Sequence, residues 1–273
     1  MTEQASAKPH AQSQAQPGVK TWDPAQYLKF NTPRMRPALE LLARIEVEAP
    51  ETVCDLGCGP GNITGFIQNK WPAARVIGVD SSAAMLDQAR EKYPDNAWAK
   101  ADLTEWRPEA PADVLYSNAA FQWLGEHETL FPRLVSHLNP GGVIAIQMPR
   151  NWQAPSHTAM RDAAEASPWA DRLLPNIRSD PVADPDVYYD LLRPLLAELD
   201  IWEVEYLQVL DGDNAVAEWT KGTALRALLD VLDADEQDEF FAQYSAITQK
   251  LYPRRADGAT LYPFRRLFMV GRV

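Results

Sequence analysis

The chain has 273 residues, enough for one large domain or two modest ones and for a sizeable buried core. It carries 26 Lys and Arg against 38 Asp and Glu, a formal net charge of −12. Such an acidic protein is a poor partner for a phosphate backbone, which argues against nucleic acid as a ligand. The two cysteines, Cys54 and Cys58, are too few for a disulfide framework or, without a cluster of His, for a zinc site.

The sequence contains no run of roughly 18 apolar residues of the kind that a membrane span requires. The first twenty residues are rich in Ala, Gln, Ser and Pro and contain no apolar stretch resembling a signal-peptide core. We therefore expect residues 1–20 to form a disordered tail, and we expect a cytoplasmic protein with no membrane partner.

The first half of the chain alternates between helical and strand patterns. Thr32 before Pro33 predicts a helix start, and apolar residues then recur every three or four positions. Alternating strands and helices predict a parallel sheet with helices on both faces. The predicted strands are 52–56, 75–80, 113–118 and 143–148. One predicted helix follows the glycines at 57–61 and a second follows Ser82. A third runs through Leu130 to Leu138 and is followed by a stop at Gly141-Gly142.

The second half of the chain is mainly helical. Residues 151–199 predict helices and proline-rich loops, whereas residues 201–209 alternate like a strand. Residues 213–250 are helical again, with Asp233 marking a helix start, and residues 266–270 predict a final strand. We interpret the chain as one domain with mainly helical segments that cover the substrate, namely 21–273 with the insertions 151–199 and 211–262.

The glycine loop after the first strand has a spacing that selects its ligand. A dinucleotide fingerprint starting at Gly57 requires a third glycine at position 62, where this chain has Asn62. The pattern is instead Asp55-x-Gly57-x-Gly59-x-Gly61. A carboxylate beside this loop would repel a pyrophosphate and would suit a ligand that carries an ammonium group. The loop therefore favours an amino-acid-bearing nucleotide over NAD.

Three further polar residues follow three more strands. Asp80 ends the second strand, where an acid accepts hydrogen bonds from ribose hydroxyls, while Asp102 and Asn118 follow the next two strands. An Asp before a glycine turn can be purely structural, and Asp80 with Ser81 can simply cap a helix. The carboxyl ends of parallel strands nevertheless meet at one edge, so we expect the four residues to converge on a ligand crevice.

Together, the loop from Asp55 to Gly61 and the residues Asp80, Asp102-Leu103 and Asn118 resemble the S-adenosylmethionine site of the class I methyltransferases. The resemblance implies a Rossmann-like α/β fold with a mostly parallel seven-stranded sheet, helices on both faces and a helical lid. It implies S-adenosyl-L-methionine as cofactor, with its methionine part at the loop, its ribose at Asp80 and its adenine at Asp102. The implied cofactor residues are Trp22, Tyr27, Asp55, Gly57, Cys58, Gly59, Asp80, Ser81, Met85, Asp102, Leu103, Asn118, Ala119 and Trp123.

The segments that flank this core are similar to a subgroup of these enzymes that methylates a carboxylate of a small tricarboxylic acid. They include Trp22-Asp23-Pro24, the run from Asn118 to Leu124 and the run from Gln147 to Trp152. A carboxyl group is already ionised at pH 7, so we expect no acid/base residue, and catalysis by alignment and exclusion of water. The expected substrate-binding residues are Arg36, Gln122, Asn151, Trp152, Arg178, Tyr188 and Arg265, within a wider set of cations that adds Arg150, Arg172 and Arg266.

Other functions fit parts of the same pattern. A methyltransferase of this fold could act on another small acid or on a quinone-type acceptor, and a cofactor-binding protein without turnover would keep the same strand-end residues. A dehydrogenase is disfavoured by Asn62. No metal, nucleic acid or obligatory protein partner is indicated. Because the chain is acidic and the expected substrate anionic, we predict a positive pocket inside a negative shell.

Overall fold

A seven-stranded sheet forms the centre of the computed structural model, which describes residues 35–178 and 180–273. The strand order is β3-β2-β1-β4-β5-β7-β6. The first five strands are parallel, and β7 pairs antiparallel with both β5 and β6. The order reverses direction at β1, so β1 and β4 flank the switch point where open α/β sheets bind ligands.

Strands and helices alternate through the first half of the chain, and helices dominate the second half. The first half contains α1 (Arg36–Ala43), β1 (Thr52–Leu56), α2 (Thr64–Lys70), β2 (Arg75–Asp80), α3 (Ala83–Lys92), β3 (Ala97–Lys100), β4 (Ala112–Asn118), α4 (His127–Val135) and β5 (Leu138–Pro149). The second half contains α5 (Pro155–Glu165), α6 (Ala170–Leu173), α7 (Pro185–Leu192), β6 (Glu198–Leu210), α8 (Ala215–Lys221), α9 (Arg226–Leu229), α10 (Ala234–Leu251) and β7 (Thr260–Arg272).

The two faces of the sheet carry separate apolar layers because successive residues of a strand point to opposite sides. On one face, Cys54 of β1 and Ile144 of β5 pack with helices α4 and α7. On the other face, Val53 of β1 and Val143 of β5 pack with helices α1 and α2. Whether a strand residue faces one layer or the other therefore follows from its position in this alternation.

A third apolar core lies outside the sheet and holds the inserted helices together. It joins α5, α8, α9 and α10 through residues such as Met160, Ala217, Leu228 and Phe240. We call these four helices the lid. Helix α10 begins with a capping box in which Asp233 accepts from Glu236 N while the Glu236 side chain accepts from Asp233 N. Among the described helices, none has the length and apolar character needed to cross a membrane.

The structure departs from the sequence predictions at several element boundaries. Helix α4 ends at Val135, and Leu138 is the first residue of β5, which runs through the predicted stop at Gly141-Gly142. Cross-strand pairing explains this, because Gly141 N donates to Val273 O and Val273 N donates to Gly142 O. Residues 213–250 form three separate helices, and β6 and β7 are longer than predicted. The predicted tail and the Thr32-Pro33 helix start lie outside the described residues.

Candidate active site

The glycine loop, residues 57–61, turns sharply over the end of β2. Gly57 N and Cys58 N both donate to Val79 O, which anchors the loop to that strand. The glycines at 57, 59 and 61 all have positive φ, a conformation that side chains with a Cβ adopt at a cost. A Cβ on Gly57 would lie 2.2 Å from the Ala120 Cβ, whereas a Cβ on Gly59 would meet no atom within 4 Å. The loop is therefore packed on one side and open on the other.

Asp55 lies beneath the loop, where it is only 2% exposed. Its Oδ2 accepts a hydrogen bond of 2.6 Å from the Thr64 hydroxyl at the start of α2. Burial raises the pKa of Asp55 from its ordinary value of 3.8 to about 7, although the bond from Thr64 opposes the shift. The carboxyl group thus supports the loop from below, and its charge responds to pH near neutrality.

The raised pKa of Asp55 predicts a specific pH dependence of stability. A carboxyl group whose pKa is raised in the folded state stabilises the fold below its unfolded pKa, and this contribution is lost as pH rises through about 7. An Asp55→Asn variant lacks this titration. We expect the difference in free energy of unfolding, variant minus wild type, to rise by up to about 1.4 kcal/mol per pH unit between pH 5 and pH 7. This difference should level off above about pH 8. Urea unfolding across this range measures it, and a constant difference between the two proteins would contradict the assignment.

Asp80 lies at the end of β2 and ties the loop to the next helix. Its Oδ2 accepts from Gly59 N at 2.9 Å, and its Oδ1 accepts from Ser82 N at 2.8 Å. Ser82 in turn caps α3 by accepting from Met85 N. Each carboxylate oxygen has capacity for a further hydrogen bond, so Asp80 remains able to accept from vicinal hydroxyls. The two interpretations of Asp80 made from the sequence, structural and ligand-binding, are compatible.

Asp102 lies on the surface just after β3. Its Oδ1 accepts from both the backbone N and the hydroxyl of Thr104, and these bonds lower the pKa of Asp102 below its ordinary value. The side chain is therefore an ionised acceptor at neutral pH. Leu103, in contrast, is buried in the sheet core near Gly57. Ser81 and Met85 are exposed beside Asp80, and Cys58 is a buried loop residue.

A row of polar side chains crosses the sheet on the α1 and α2 face. Asn118 of β4 is opposite Gln147 of β5, and Arg266 of β7 is opposite Pro149. Arg266 donates from Nη1 to Gln147 Oε1 at 3.1 Å, and its guanidinium lies 4.8 Å from the centre of the Phe264 ring. Both Gln147 and Arg266 are buried. The row places the cation Arg266 near Asn118, the strand-end residue that the sequence predicts for the ligand crevice.

A cleft of about 610 Å³ lies between this polar row and the lid, and we call it the lid cleft. Its volume is in the range typical of small-ligand sites. Three groups of residues line it: strand ends and following turns, three helices of the lid (α5, α8 and α9) with their flanking turns, and alternate residues of β7. They include Asn118, Ala119, Gln122, Trp123, Asn151, Trp152, His157, Trp219, Thr220, Thr223, Arg226, Asp230, Tyr262, Phe264 and Arg266.

Four of the residues that line the lid cleft carry buried polar atoms without a hydrogen-bond partner among the described residues. Two are acceptors, Asn118 Oδ1 and Gln122 Oε1, and two are donors, Asn151 Nδ2 and Trp152 Nε1. Gln122 is oriented by a 2.7 Å bond from its Nε2 to Ala119 O. Leaving buried polar atoms unsatisfied costs about 1–3 kcal/mol each, so their concentration in this cleft indicates a polar ligand.

The charges in the lid cleft are unlike those of the chain as a whole. Among its described lining residues, Arg226 and Arg266 are cations and Asp230 is an anion. His157 is neutral at pH 7 because burial lowers the pKa of its ring to about 4. The cleft therefore has a net positive lining inside a chain of net charge −12. In the described part of the chain, no cluster of three or more His, Cys, Asp or Glu side chains could hold a metal ion.

Two of the expected substrate-binding residues lie elsewhere. Tyr188 is buried in the sheet core, where its hydroxyl contacts His127 Nδ1 at 2.7 Å and accepts from Ala183 N. This placement corrects the prediction for Tyr188, because its polar group is used inside the core. Arg36 forms an ion pair of 2.7 Å with Glu40 and is not among the described residues that line the cleft. Trp22 and Tyr27 lie outside the described residues.

Two other arginines lie next to the lid cleft without lining it. Arg178 donates to Trp123 O at 2.9 Å and stacks over the Trp123 ring, facing a smaller cavity behind that ring. Arg265 precedes Arg266 on β7 and so points to the opposite face, where it lines a neighbouring cavity with Glu205. Asn151 and Trp152 line both this cavity and the lid cleft. Of this adjacent pair, Arg266 and not Arg265 lines the lid cleft.

The residues that line or support the cleft and were missed from sequence include Gln147, Trp219 and Arg226. The alternation of Tyr262, Phe264 and Arg266 along β7 was a signal for the strand face that lines the cleft, since alternate residues of a strand share a face. Gln147 was the polar residue in the otherwise apolar run from Val143 to Met148, which is also unusual. Nothing local distinguished Trp219 or Arg226 from other residues of the lid helices.

The fold of the first half has a clear counterpart among known proteins. A family model described as a methyltransferase domain matches residues 53–142, which span β1 to the start of β5. Among solved structures, the YcgJ protein of Bacillus subtilis superposes with a TM-score of 0.54 at 13% identity, covering 86% of this chain and 96% of that one. The sheet order, the glycine loop and the acids at successive strand ends define a class I methyltransferase.

Relatives that match nearly the whole chain specify the family further. A trans-aconitate 2-methyltransferase of Azoarcus sp. (strain BH72) is 50% identical over 252 residues, which is 92% of this chain and 99% of that protein. A protein of the same name from Shigella flexneri is 43% identical over 254 residues, 93% of this chain and 99% of that protein. The chain belongs to the trans-aconitate 2-methyltransferase family.

Proposed function

We propose that this protein transfers a methyl group from S-adenosylmethionine to a carboxylate of trans-aconitate and so forms the monomethyl ester. The observation that carries the proposal is the 50% identity to a trans-aconitate 2-methyltransferase over 92% of the chain. With 252 of the 273 residues matched, the likeness extends well beyond residues 53–142 into the lid, whose residues line the cleft. A likeness confined to residues 53–142 would support the cofactor alone.

The residues at the strand ends suit S-adenosylmethionine. Asp80 offers two acceptor oxygens to the ribose hydroxyls, and Asp102 offers an ionised carboxylate at the neighbouring strand end. The open side of the loop at Gly59 leaves room for a ligand against the backbone. The unpartnered acceptor Asn118 Oδ1 suits the ammonium group of the methionine part. We propose these residues, with the buried Asp55 below the loop, as the cofactor site.

The lining of the lid cleft suits a carboxylate acceptor. Asn151 Nδ2 and Trp152 Nε1 are donors without partners among the described residues, and carboxylate oxygens are strong acceptors. Trp123, Trp152 and Trp219 give the cleft an aromatic wall. We propose that Gln122, Asn151 and Trp152 orient the acceptor, while the tryptophans exclude water and so strengthen the electrostatic contacts inside.

The chemistry requires little beyond alignment. When bound, S-adenosylmethionine supplies a methyl group on a sulfonium sulfur, which leaves as a neutral thioether. A carboxylate with an ordinary pKa near 4 is ionised at pH 7, so its oxygen attacks without a general base and no proton moves. The His157 ring in the cleft has its pKa lowered to about 4 by burial and is neutral at that pH. Holding the acceptor in line is a class of effect worth up to about 7–11 kcal/mol.

A methyl-transfer assay tests the proposal directly. The purified protein is incubated with methyl-labelled S-adenosylmethionine and, separately, with trans-aconitate, other di- and tricarboxylates and a quinone-type acceptor. We expect a labelled monomethyl ester from trans-aconitate, with the other acids transferred at least about tenfold less efficiently. Mass spectrometry of the product distinguishes ester from free acid. Transfer to another acceptor and none to trans-aconitate would instead assign a different methyltransferase activity.

A further inference from the structure

The alternation of β7 separates two adjacent arginines into different environments. Arg266 points into the lid cleft with Tyr262 and Phe264, while Arg265 points to the opposite face. Arg266 is 6% exposed, whereas the Arg265 side chain is 50% exposed beside Glu205. A cation at a largely desolvated position interacts with an anion much more strongly than a cation in water does. Of the two arginines, Arg266 is placed to hold an anionic group of a ligand in the cleft.

The position of Arg266 is fixed by its neighbours. Its Nη1 donates to Gln147 Oε1 at 3.1 Å, and its guanidinium stacks over the Phe264 ring. Gln147 itself is fully buried on β5, opposite Asn118 of β4. A guanidinium whose plane is held in this way presents a preorganised fork of donors to a carboxylate, which a flexible ammonium would not do. Arg266 therefore forms the floor of the cleft.

Arg226 supplies the second cation from the opposite side. It belongs to α9 of the lid, and its side chain is 73% exposed at the edge of the cleft. Its partner there is Asp230, whose Oδ2 lies 3.6 Å from Arg226 Nε, a weak exposed pair. An exposed arginine of this kind can exchange that partner for a substrate carboxylate at low cost. Arg226 therefore forms the rim of the cleft.

We propose that Arg266 and Arg226 bind the two carboxylates of the substrate that are not methylated, one at the floor and one at the rim. The inference rests on the proposed function and deepens it, because it states why a tricarboxylate is preferred. The third carboxylate, the one that is methylated, is then left to the polar side chains Asn118 and Asn151 of the same cleft.

The test combines arginine variants with substrates that lack one carboxylate. Trans-aconitate is compared with three dicarboxylates that each lack one of its carboxylates. Mesaconate lacks the carboxylate on the methylene arm, cis-glutaconate lacks the central one, and itaconate lacks the one on the vinylic CH. On trans-aconitate we expect Arg266→Gln to lower kcat/KM about 100-fold and Arg226→Gln about tenfold, because the first cation is buried and the second exposed. Each effect should fall to less than about threefold on the one dicarboxylate that lacks the carboxylate bound by that arginine.

Arg265→Gln is the matched control, since it removes an adjacent arginine of the same strand from the other face. We expect it to change kcat/KM less than about threefold on every substrate. Arg266→Lys is a second variant in case Arg266→Gln folds poorly. It keeps the charge and is expected to recover part of the loss in kcat/KM. The affinity of all variants for S-adenosylhomocysteine, measured by calorimetry, should remain within about threefold of wild type.

Two results would overturn the inference. One is an effect of Arg266→Gln and Arg226→Gln no larger than that of Arg265→Gln, and the other is equal effects of each variant on every acid that is turned over. Failure of the proposed function gives a different result, namely no turnover of trans-aconitate by the wild-type protein. In that case calorimetry of trans-aconitate binding in the presence of S-adenosylhomocysteine still tests the two arginines. Loss of that binding in Arg266→Gln but not in Arg265→Gln would support the assignment, and equal binding by both would overturn it.

Discussion

An Asp80→Ala variant is expected to bind S-adenosylhomocysteine roughly 100-fold more weakly than wild type. A hydrogen bond to a charged group contributes about 1.5–3 kcal/mol, so losing two bonds to the ribose costs about 3 kcal/mol or more. The substitution also frees Gly59 N and Ser82 N, which Asp80 now holds at 2.9 Å and 2.8 Å. Isothermal titration calorimetry measures the change, and kcat at saturating cofactor should fall less than affinity does.

Two companion variants make this result specific. Asp87→Ala removes an acid of α3 whose described partner is Arg90, and it should leave cofactor affinity unchanged. Asp80→Asn keeps one carbonyl acceptor and should fall between wild type and Asp80→Ala. Unchanged affinity in Asp80→Ala would remove the ribose assignment and leave Asp80 as a support of the loop. A loss in Asp87→Ala of similar size would point instead to a general effect of charge.

A Gly57→Ala variant is expected to be markedly less stable than Gly59→Ala, although both glycines have positive φ. The left-handed conformation costs an alanine about 1–2 kcal/mol at either position. At Gly57 the new Cβ would also lie 2.2 Å from the Ala120 Cβ, whereas at Gly59 it would meet no atom within 4 Å. Overpacking of this kind costs about 1–3 kcal/mol more. We expect the additional loss to lower Tm by about 3–10 °C relative to Gly59→Ala.

A second substitution separates the two causes of that loss. Ala120→Gly in the Gly57→Ala background removes the opposing Cβ and should recover the steric part, while the cost of positive φ remains. The double-mutant cycle should therefore give a favourable interaction energy of about 1–2 kcal/mol. Thermal unfolding of the four proteins measures it. Additive effects of the two substitutions would mean that the loop moves away from Ala120 without cost.

The net charge of −12 and an anionic substrate are reconciled by the distribution of charge. The two arginines of the cleft lie with a single acid among the described lining residues, so the local field favours anions. At physiological salt the Debye length is about 8 Å, so exposed acids farther away are largely screened. The prediction of a positive pocket made from composition therefore has a structural basis in Arg266 and Arg226. Composition alone could not say which arginines would form it.

The part of the site that was predictable from sequence consists of residues that follow strands directly. Asp55, Asp80, Asp102 and Asn118 each stand at or just after the end of a strand, and glycines mark the turn between β1 and α2. In a parallel sheet these ends meet at one edge, so local pattern is enough to bring them together. The class I fold followed from the same alternation of strands and helices. The positive φ of the loop glycines is also readable from residue type.

The substrate side depended on tertiary structure. Arg265 and Arg266 are adjacent and chemically identical, yet opposite pleats of β7 place them in different cavities. Tyr188 has the chemistry of a binding residue, but its hydroxyl is used by His127 and Ala183 inside the core. The sequence by itself determined the class of protein and the strand-end residues that we propose for the cofactor, because those features are local to strand ends. Only the packing of the lid over one face decided which side chains line the cleft, because that face is selected by contacts between residues far apart in the chain.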